Sequence, residues 1–187
     1  MLVASKKITV EDFLKMDFEG EDAYYELING EIVKKAAPSP RHQHSTGRLF
    51  AKMLNHALDK NLGEVFTAPL DVFLDEYSHV QPDILFISKE NQGIIDYKDG
   101  ILGVPDLIVE VISPGSFAID RFDKKKAYEK AGVREYWLVD PNNLSVEIYK
   151  NIGQLFELAQ VASEAGKVQS TILEGFEVDI QSLFIAS

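Results

Sequence analysis

Two carboxylates stand inside apolar runs: Asp83 in Val80-Gln81-Pro82-Asp83-Ile84-Leu85-Phe86-Ile87, and Glu110 in Asp106-Leu107-Ile108-Val109-Glu110-Val111-Ile112. Both runs read as strands, and a charge in the middle of a buried strand costs free energy unless a partner compensates it. A hydrogen-bond network, a salt bridge or a divalent cation can do so. Two carboxylates on neighbouring strands suit the hard oxygen coordination of Mg²⁺, and without a partner their like charges repel. The chain has no cysteine, so any metal site must use oxygen or histidine, and disulfides, thiol catalysis and cysteine zinc sites are excluded.

The elements that must position this pair follow from the apolar pattern. Thr9-Val10-Glu11-Asp12 reads as a capped helix start with acidic residues in its first turn. Residues 24–28 and 31–35 flank Asn29-Gly30, the dipeptide suited to the positive φ angles of a two-residue hairpin, with Glu26 in the first arm. From His42 to Lys60, Leu49, Phe50, Met53, Leu54, Ala57 and Leu58 recur at helical spacing, with Gly63 as the stop. Carried back by full turns, that stripe passes through Thr46 to His42, which turns inward. Strands are predicted over residues 64–74, 79–87 and 107–113, with a polar, glycine-containing excursion over 91–103.

A second helix over residues 120–131, ended by Gly132, puts Asp120, Lys124, Ala127, Tyr128 and Ala131 on one face. Lys125 and Glu129 fall on another, so periodicity sets Lys124 apart from its lysine neighbours. A strand over 135–139, a turn at Asp140-Pro141-Asn142-Asn143, a hairpin over 144–150 and 154–161, and an apolar segment over 178–184 complete the reading.

With 187 residues and 45 % hydrophobic content the chain can bury one core, and no linker-like stretch divides it, so a single domain over 1–187 is expected. Lys and Arg total 19 against 30 Asp and Glu, a net charge of -11 that argues against coating nucleic acid through bulk electrostatics. Two basic clusters, Lys34, Lys35, Arg41, Arg48 and Lys52, then Lys124, Lys125, Lys126, Lys130 and Arg134, read as solvated faces. No signal-peptide core opens the chain and no apolar run is long enough to span a bilayer, which leads to the expectation of a cytoplasmic protein without a membrane partner.

The order helix, three strands, helix, strand, with Pro82-Asp83 and Glu110-Val111-Ile112 on successive strands, resembles the PD-(D/E)XK nuclease superfamily. The expected lysine two residues after the glutamate is Ile112 instead. A closer resemblance is to the Uma-type restriction-endonuclease family within that superfamily. It rests on Tyr25-Glu26-Leu27-Ile28-Asn29-Gly30-Glu31, Pro40-Arg41-His42-Gln43, Gln81-Pro82-Asp83-Ile84, the run from Pro105 to Pro114, and the stretch from Lys124 through Tyr128 to Gly132-Val133-Arg134-Glu135-Tyr136-Trp137-Leu138-Val139-Asp140-Pro141. In that family the missing strand lysine is replaced by one from the following helix, four residues before a tyrosine, which here is Lys124.

The resemblance implies an α/β chain with a restriction-endonuclease-like core, helices flanking a central mixed β-sheet, and Mg²⁺-dependent hydrolysis of a nucleic-acid phosphodiester. Asp83, Glu110 and the backbone carbonyl near Val111 would hold Mg²⁺, or Mn²⁺ in its place. Lys124 would orient the attacking water or stabilise phosphoryl charge, Glu26 would touch a second metal or a metal-bound water, and His42 would hydrogen-bond into the site. The implied partner is DNA, met by a homodimer because cutting both strands favours two-fold symmetry. Each residue has a plainer reading: Asp83 as a strand-end cap beside Pro82, Lys124 as a stem lying over core, Glu26 as a polar face residue, His42 as a satisfied inward histidine. Asp120 pairs with Lys124 or merely steadies the first turn. The competing functions are a catalytically silent nuclease-fold module that binds protein or nucleic acid, and a phosphoesterase for small substrates.

Overall fold

The computed structural model describes residues 7–18, 24–35 and 37–184. Its central sheet has six strands in the order β12 (Phe156–Ser163), β11 (Ser145–Asn151), β10 (Glu135–Asp140), β9 (Leu107–Val111), β6 (Ile84–Ser88), β3 (Gly63–Thr67). Only β9 and β10 run parallel, so the sheet is mixed, as expected. Period-two alternation divides its side chains. Ile84, Phe86, Leu107, Val109 and Val111 face Leu49, Met53 and Ala57 of helix α2 (Pro40–Lys60).

The opposite face carries Leu85, Ile87, Ile108 and Ile112, and Glu110 belongs to it by the same alternation. Two structures cover that face. Helix α3 (Lys125–Ala131) contributes Ala127 and Tyr128, and a second six-stranded sheet contributes Ile28, Val72, Val80 and Ile101. This second sheet runs β2 (Glu31–Lys34), β1 (Tyr25–Ile28), β5 (Ser78–Val80), β4 (Val72–Asp75), β8 (Gly100–Ile101), β7 (Ile95–Asp96). A short helix α1 (Val10–Leu14), capped by the Thr9 side chain, and a small pair β13 (Lys167–Gln169) and β14 (Glu177–Asp179) complete the fold. Among the described residues no helix is long and apolar enough to cross a membrane.

Several boundaries differ from the sequence reading, each for a physical reason. The strands expected over 64–74 and 79–87 are both broken, because Pro69 and Pro82 have no N–H to give a ladder. At those two prolines the chain passes between the central sheet and the second one, so Asp83 stands at a crossing just before β6, not in mid-strand. Thr67 Oγ1 donates to the Asp83 carbonyl at 2.8 Å and Ala68 N at 3.1 Å, tying the two crossings together.

The Asn29-Gly30 hairpin forms as expected, with φ of 52° and 85° at its two turn residues. Helix α2 begins at Pro40 under a Ser39 cap and ends with Asn61 in the left-handed region, not at Gly63. Gly63 serves close packing instead: a Cβ there would lie 2.1 Å from the Ile87 carbonyl oxygen. The second helix is not regular either. Its first turn, Ile119–Lys124, is π-helical and only then tightens into α3, a widening that recurs at functional sites.

Two glycines therefore behave in opposite ways. Gly63→Ala is expected to cost about 2 kcal/mol or more in urea denaturation, because neither the Ile87 backbone nor the φ of Gly63 can yield cheaply. Gly47, inside α2 with open space around it, is expected to gain roughly 0.5–1 kcal/mol on substitution by alanine in the same measurement.

Candidate active site

The antiparallel pairing of Ile84 with Val109 brings Asp83 and Glu110 to the same end of adjacent strands. Asp83 Oδ2 accepts from the Val111 N–H at 2.8 Å and lies 3.0 Å from His42 Nε2. His42 reaches it from the first turn of α2, where its own N–H is capped by Ser39. On the other side, Glu110 Oε1 accepts from Lys124 Nζ at 3.0 Å and from Tyr128 Oη at 2.6 Å. Lys124 Nζ also lies 2.9 Å from Glu26 Oε2 and 3.9 Å from Asp120 Oδ1. The remaining oxygen of Glu26 accepts the Gln81 N–H at 2.7 Å.

All five side chains singled out from sequence are thus gathered at one place, with the Val111 backbone beside them. They are deeply set. Glu26, Glu110 and Lys124 are each 2 % exposed, Asp83 5 % and His42 8 %. Lys124 does not belong to a solvated basic face as first read, whereas Lys126 does. Lys125 turns away, its ammonium 3.7 Å from the centre of the Tyr149 ring. The π-helical turn that delivers Lys124 is held on both flanks: Tyr136 Oη donates to the Asp120 carbonyl at 3.0 Å, and Arg121 makes a two-point contact with Glu147 at 2.6 and 3.1 Å.

Four carboxyl groups, those of Glu26, Asp83, Glu110 and Asp120, surround one ammonium, so negative charge is in excess. Burial works against the charge of Asp83, but the His42 contact, Lys35 and the Val111 N–H outweigh it and hold that carboxyl below its usual range. Glu110 goes the other way: burial raises it well above the usual range, Lys124 pulls back, and the charges of Asp120, Asp83 and Glu26 add to the rise. For Lys124, burial opposes the charge, yet Glu110, Glu26, Asp120 and Asp83 more than offset it and keep the ammonium protonated.

Among the described residues no three His, Asp or Glu side chains stand in metal-holding geometry. Mg²⁺ does not require three, since it keeps several waters and takes one or two carboxylates. A surplus of buried carboxylate oxygen facing a cavity fits such an ion in chemistry. That cavity, about 700 Å³, has Glu26, Asp83, Glu110 and Lys124 in its lining, together with Tyr24, Lys35 and Ile119.

Two participants went unrecognised in the sequence. Tyr128 was placed on the face of Lys124 but not as a donor to Glu110, although a tyrosine one turn from a buried lysine carries that signal. Gln81 acts through its backbone N–H, which no side-chain pattern announces, and its carbonyl accepts from Lys35 Nζ at 2.6 Å.

Asp120 supplies a pH test. Burial pushes it up to about 6 from an ordinary 3.8, against the pull of Lys124 and Ser116 and with the push of Asp83 and Glu26. Between those values the folded chain holds a proton that the unfolded chain releases, so stability falls as pH rises through the window. Asp120→Asn should remove that slope: its melting temperature relative to wild type, in chelator, rises from pH 4 to pH 6 and then levels. A difference constant across the range would contradict the reading.

The chain is 25 % identical over 182 residues to the uncharacterised protein slr1290 of Synechocystis sp., covering 93 % of this chain and 90 % of that one. A crystal structure described as "a putative nuclease belonging to DUF820", from Anabaena variabilis, superposes with a TM-score of 0.75 at 21 % identity, covering 94 % of this chain and 97 % of that one, which shows a shared fold. The family model described as "Uma2: Putative restriction endonuclease" matches residues 10–181, and on that match this chain belongs to the Uma2 family.

Proposed function

We propose that this protein is a divalent-cation-dependent endonuclease that hydrolyses phosphodiester bonds of DNA. One observation carries the reading: Lys124 Nζ lies 2.9 and 3.0 Å from Glu26 and Glu110 in the lining of a cavity shared with Asp83. A structural ion pair has no need of a cavity, and a cation between strand-end carboxylates has the chemistry that phosphoryl transfer requires. Family membership and the shared fold support the same class.

In this reading Asp83 and Glu110, with the Val111 carbonyl, would hold Mg²⁺ or Mn²⁺, which when bound would polarise the phosphate and lower the pKa of a water nucleophile. His42 and the Val111 N–H fix the orientation of Asp83, while Tyr128 does the same for Glu110. Glu26, itself fixed by the Gln81 N–H, aims the Lys124 ammonium. Lys124 stabilises negative charge on the phosphoryl oxygens as the water oxygen bonds to phosphorus and the bond to one sugar oxygen breaks. The attacking water releases its proton to solvent, and the departing oxygen takes one from solvent. A homodimer would carry two such sites.

Calorimetric titration with Mg²⁺ or Mn²⁺ tests the site directly. Wild type should give a saturable heat that Asp83→Ala abolishes, and an equal heat from both proteins would remove Asp83 from the site. Lys124→Ala should lower cleavage by about two orders of magnitude or more in single-turnover assays at saturating substrate and cation. It should also lose about 3–5 kcal/mol of metal-free stability, because three buried carboxylates lose their counter-charge, and divalent cation should restore part of that loss. A wild-type cleavage rate in Lys124→Ala would exclude a chemical role for the lysine.

A further inference from the structure

We infer that the nucleic acid accepted here is single-stranded, an unpaired strand or flap, with the exposed ring of Tyr24 serving as a stacking platform for a base at the cavity rim. This deepens the nuclease reading above and rests on it. The first argument is access. Asp83, Glu110, Glu26 and Lys124 are all at most 5 % exposed, so a scissile phosphate cannot meet them by lying on the surface; it must enter the cavity. A volume of about 700 Å³ is in the range that encloses one drug-sized group, the scale of a nucleotide and not of the two strands that flank a major groove about 12 Å wide.

The second argument is the lining. The lining includes apolar groups, among them Val33, Pro38, Pro69 and Ile119, which suit a base removed from its stack more than a ladder of paired phosphates. Tyr24 also lines it, and the residue is 66 % exposed. Its backbone is not loose: the Tyr24 carbonyl accepts the Lys35 N–H at 2.8 Å, extending the hairpin ladder by one pair. A fixed backbone with an outward aromatic ring is the arrangement on which bases stack in single-strand binding. Lys35, whose ammonium is anchored 2.6 Å from the Gln81 carbonyl, offers a cation within the same lining for a backbone phosphate.

The third argument is charge. A net charge of -11 leaves no general attraction for a duplex, whose binding draws on many phosphate contacts. A single strand threaded past the Tyr24 ring and Lys35 asks for far fewer.

The test compares steady-state cleavage, in Mg²⁺ and in Mn²⁺, of a short single-stranded DNA, the blunt duplex made with its complement, and the same duplex carrying an unpaired flap. The strand and the flap should be cut at least tenfold faster than the blunt duplex. Tyr24→Ala should raise KM on the single strand about tenfold with kcat little changed, the scale of one base–aromatic stack, and Tyr24→Phe should match wild type. Equal cutting of strand and duplex, or an unchanged KM in Tyr24→Ala, would overturn the inference while leaving the nuclease reading intact. Hydrolysis of bis(p-nitrophenyl) phosphate without cleavage of any DNA would overturn both the single-strand inference and the DNA assignment. No hydrolysis of any of these substrates would overturn the nuclease reading and this inference with it.

Discussion

A buried ammonium holds three elements of this fold in one place. Lys124 is carried by the turn before α3, Glu110 by the middle of the central sheet, and Glu26 by the second sheet, and the two short contacts of its Nζ join them. Remove that charge and each carboxylate faces the others across a low-dielectric gap. The surrounding structure reads as a set of supports for this one contact. Tyr128 and the Gln81 N–H take up the spare lone pairs of Glu110 and Glu26, and Arg121 and Tyr136 keep the lysine's turn from moving.

The fold deals with another buried carboxylate in a different way. Glu135 is fully buried, and its neighbours are neutral: Trp137 Nε1, Ser170 Oγ and the Thr171 N–H and Oγ1 all donate to it within 2.9 Å. Four neutral donors make a knot that ties residues 170–171 to β10. At Lys124 the compensation is ionic, incomplete and open to a cavity. The contrast separates a carboxylate that serves architecture from carboxylates available for chemistry.

Much of this was legible before any coordinates. Carboxylates in the runs around Asp83 and Glu110 stood out because a charge inside an apolar run needs a compensating partner, and helical periodicity alone separated Lys124 from Lys125. The Asn29-Gly30 hairpin and the interior stripe of α2 followed from local rules. What escaped was set by distance along the chain or by the backbone. Pro69 and Pro82 interrupt strands that apolar alternation carries straight through, and that interruption hands Asp83 from one sheet to the other. Pairing between Glu26 and Lys124 joins residues nearly a hundred positions apart, which no window of sequence spans. The second sheet, made of short strands of two to four residues, has too few side chains per strand to declare a period.

The π-helical turn at Ile119–Lys124 changes what counts as a motif in such a chain. A strand lysine two residues past a glutamate is locked to it by the pleat, so its position can be written as a fixed gap. A lysine delivered by a helix that has absorbed an extra residue in its first turn is tied to a point in space and not to a count along the chain. One residue more or fewer between Ser113 and Lys124 can be taken up by winding or unwinding that turn while the ammonium stays between the same two carboxylates. Spelling rules built on spacing will therefore miss chains whose clustered side chains are the same in three dimensions, and the search for them belongs to geometry.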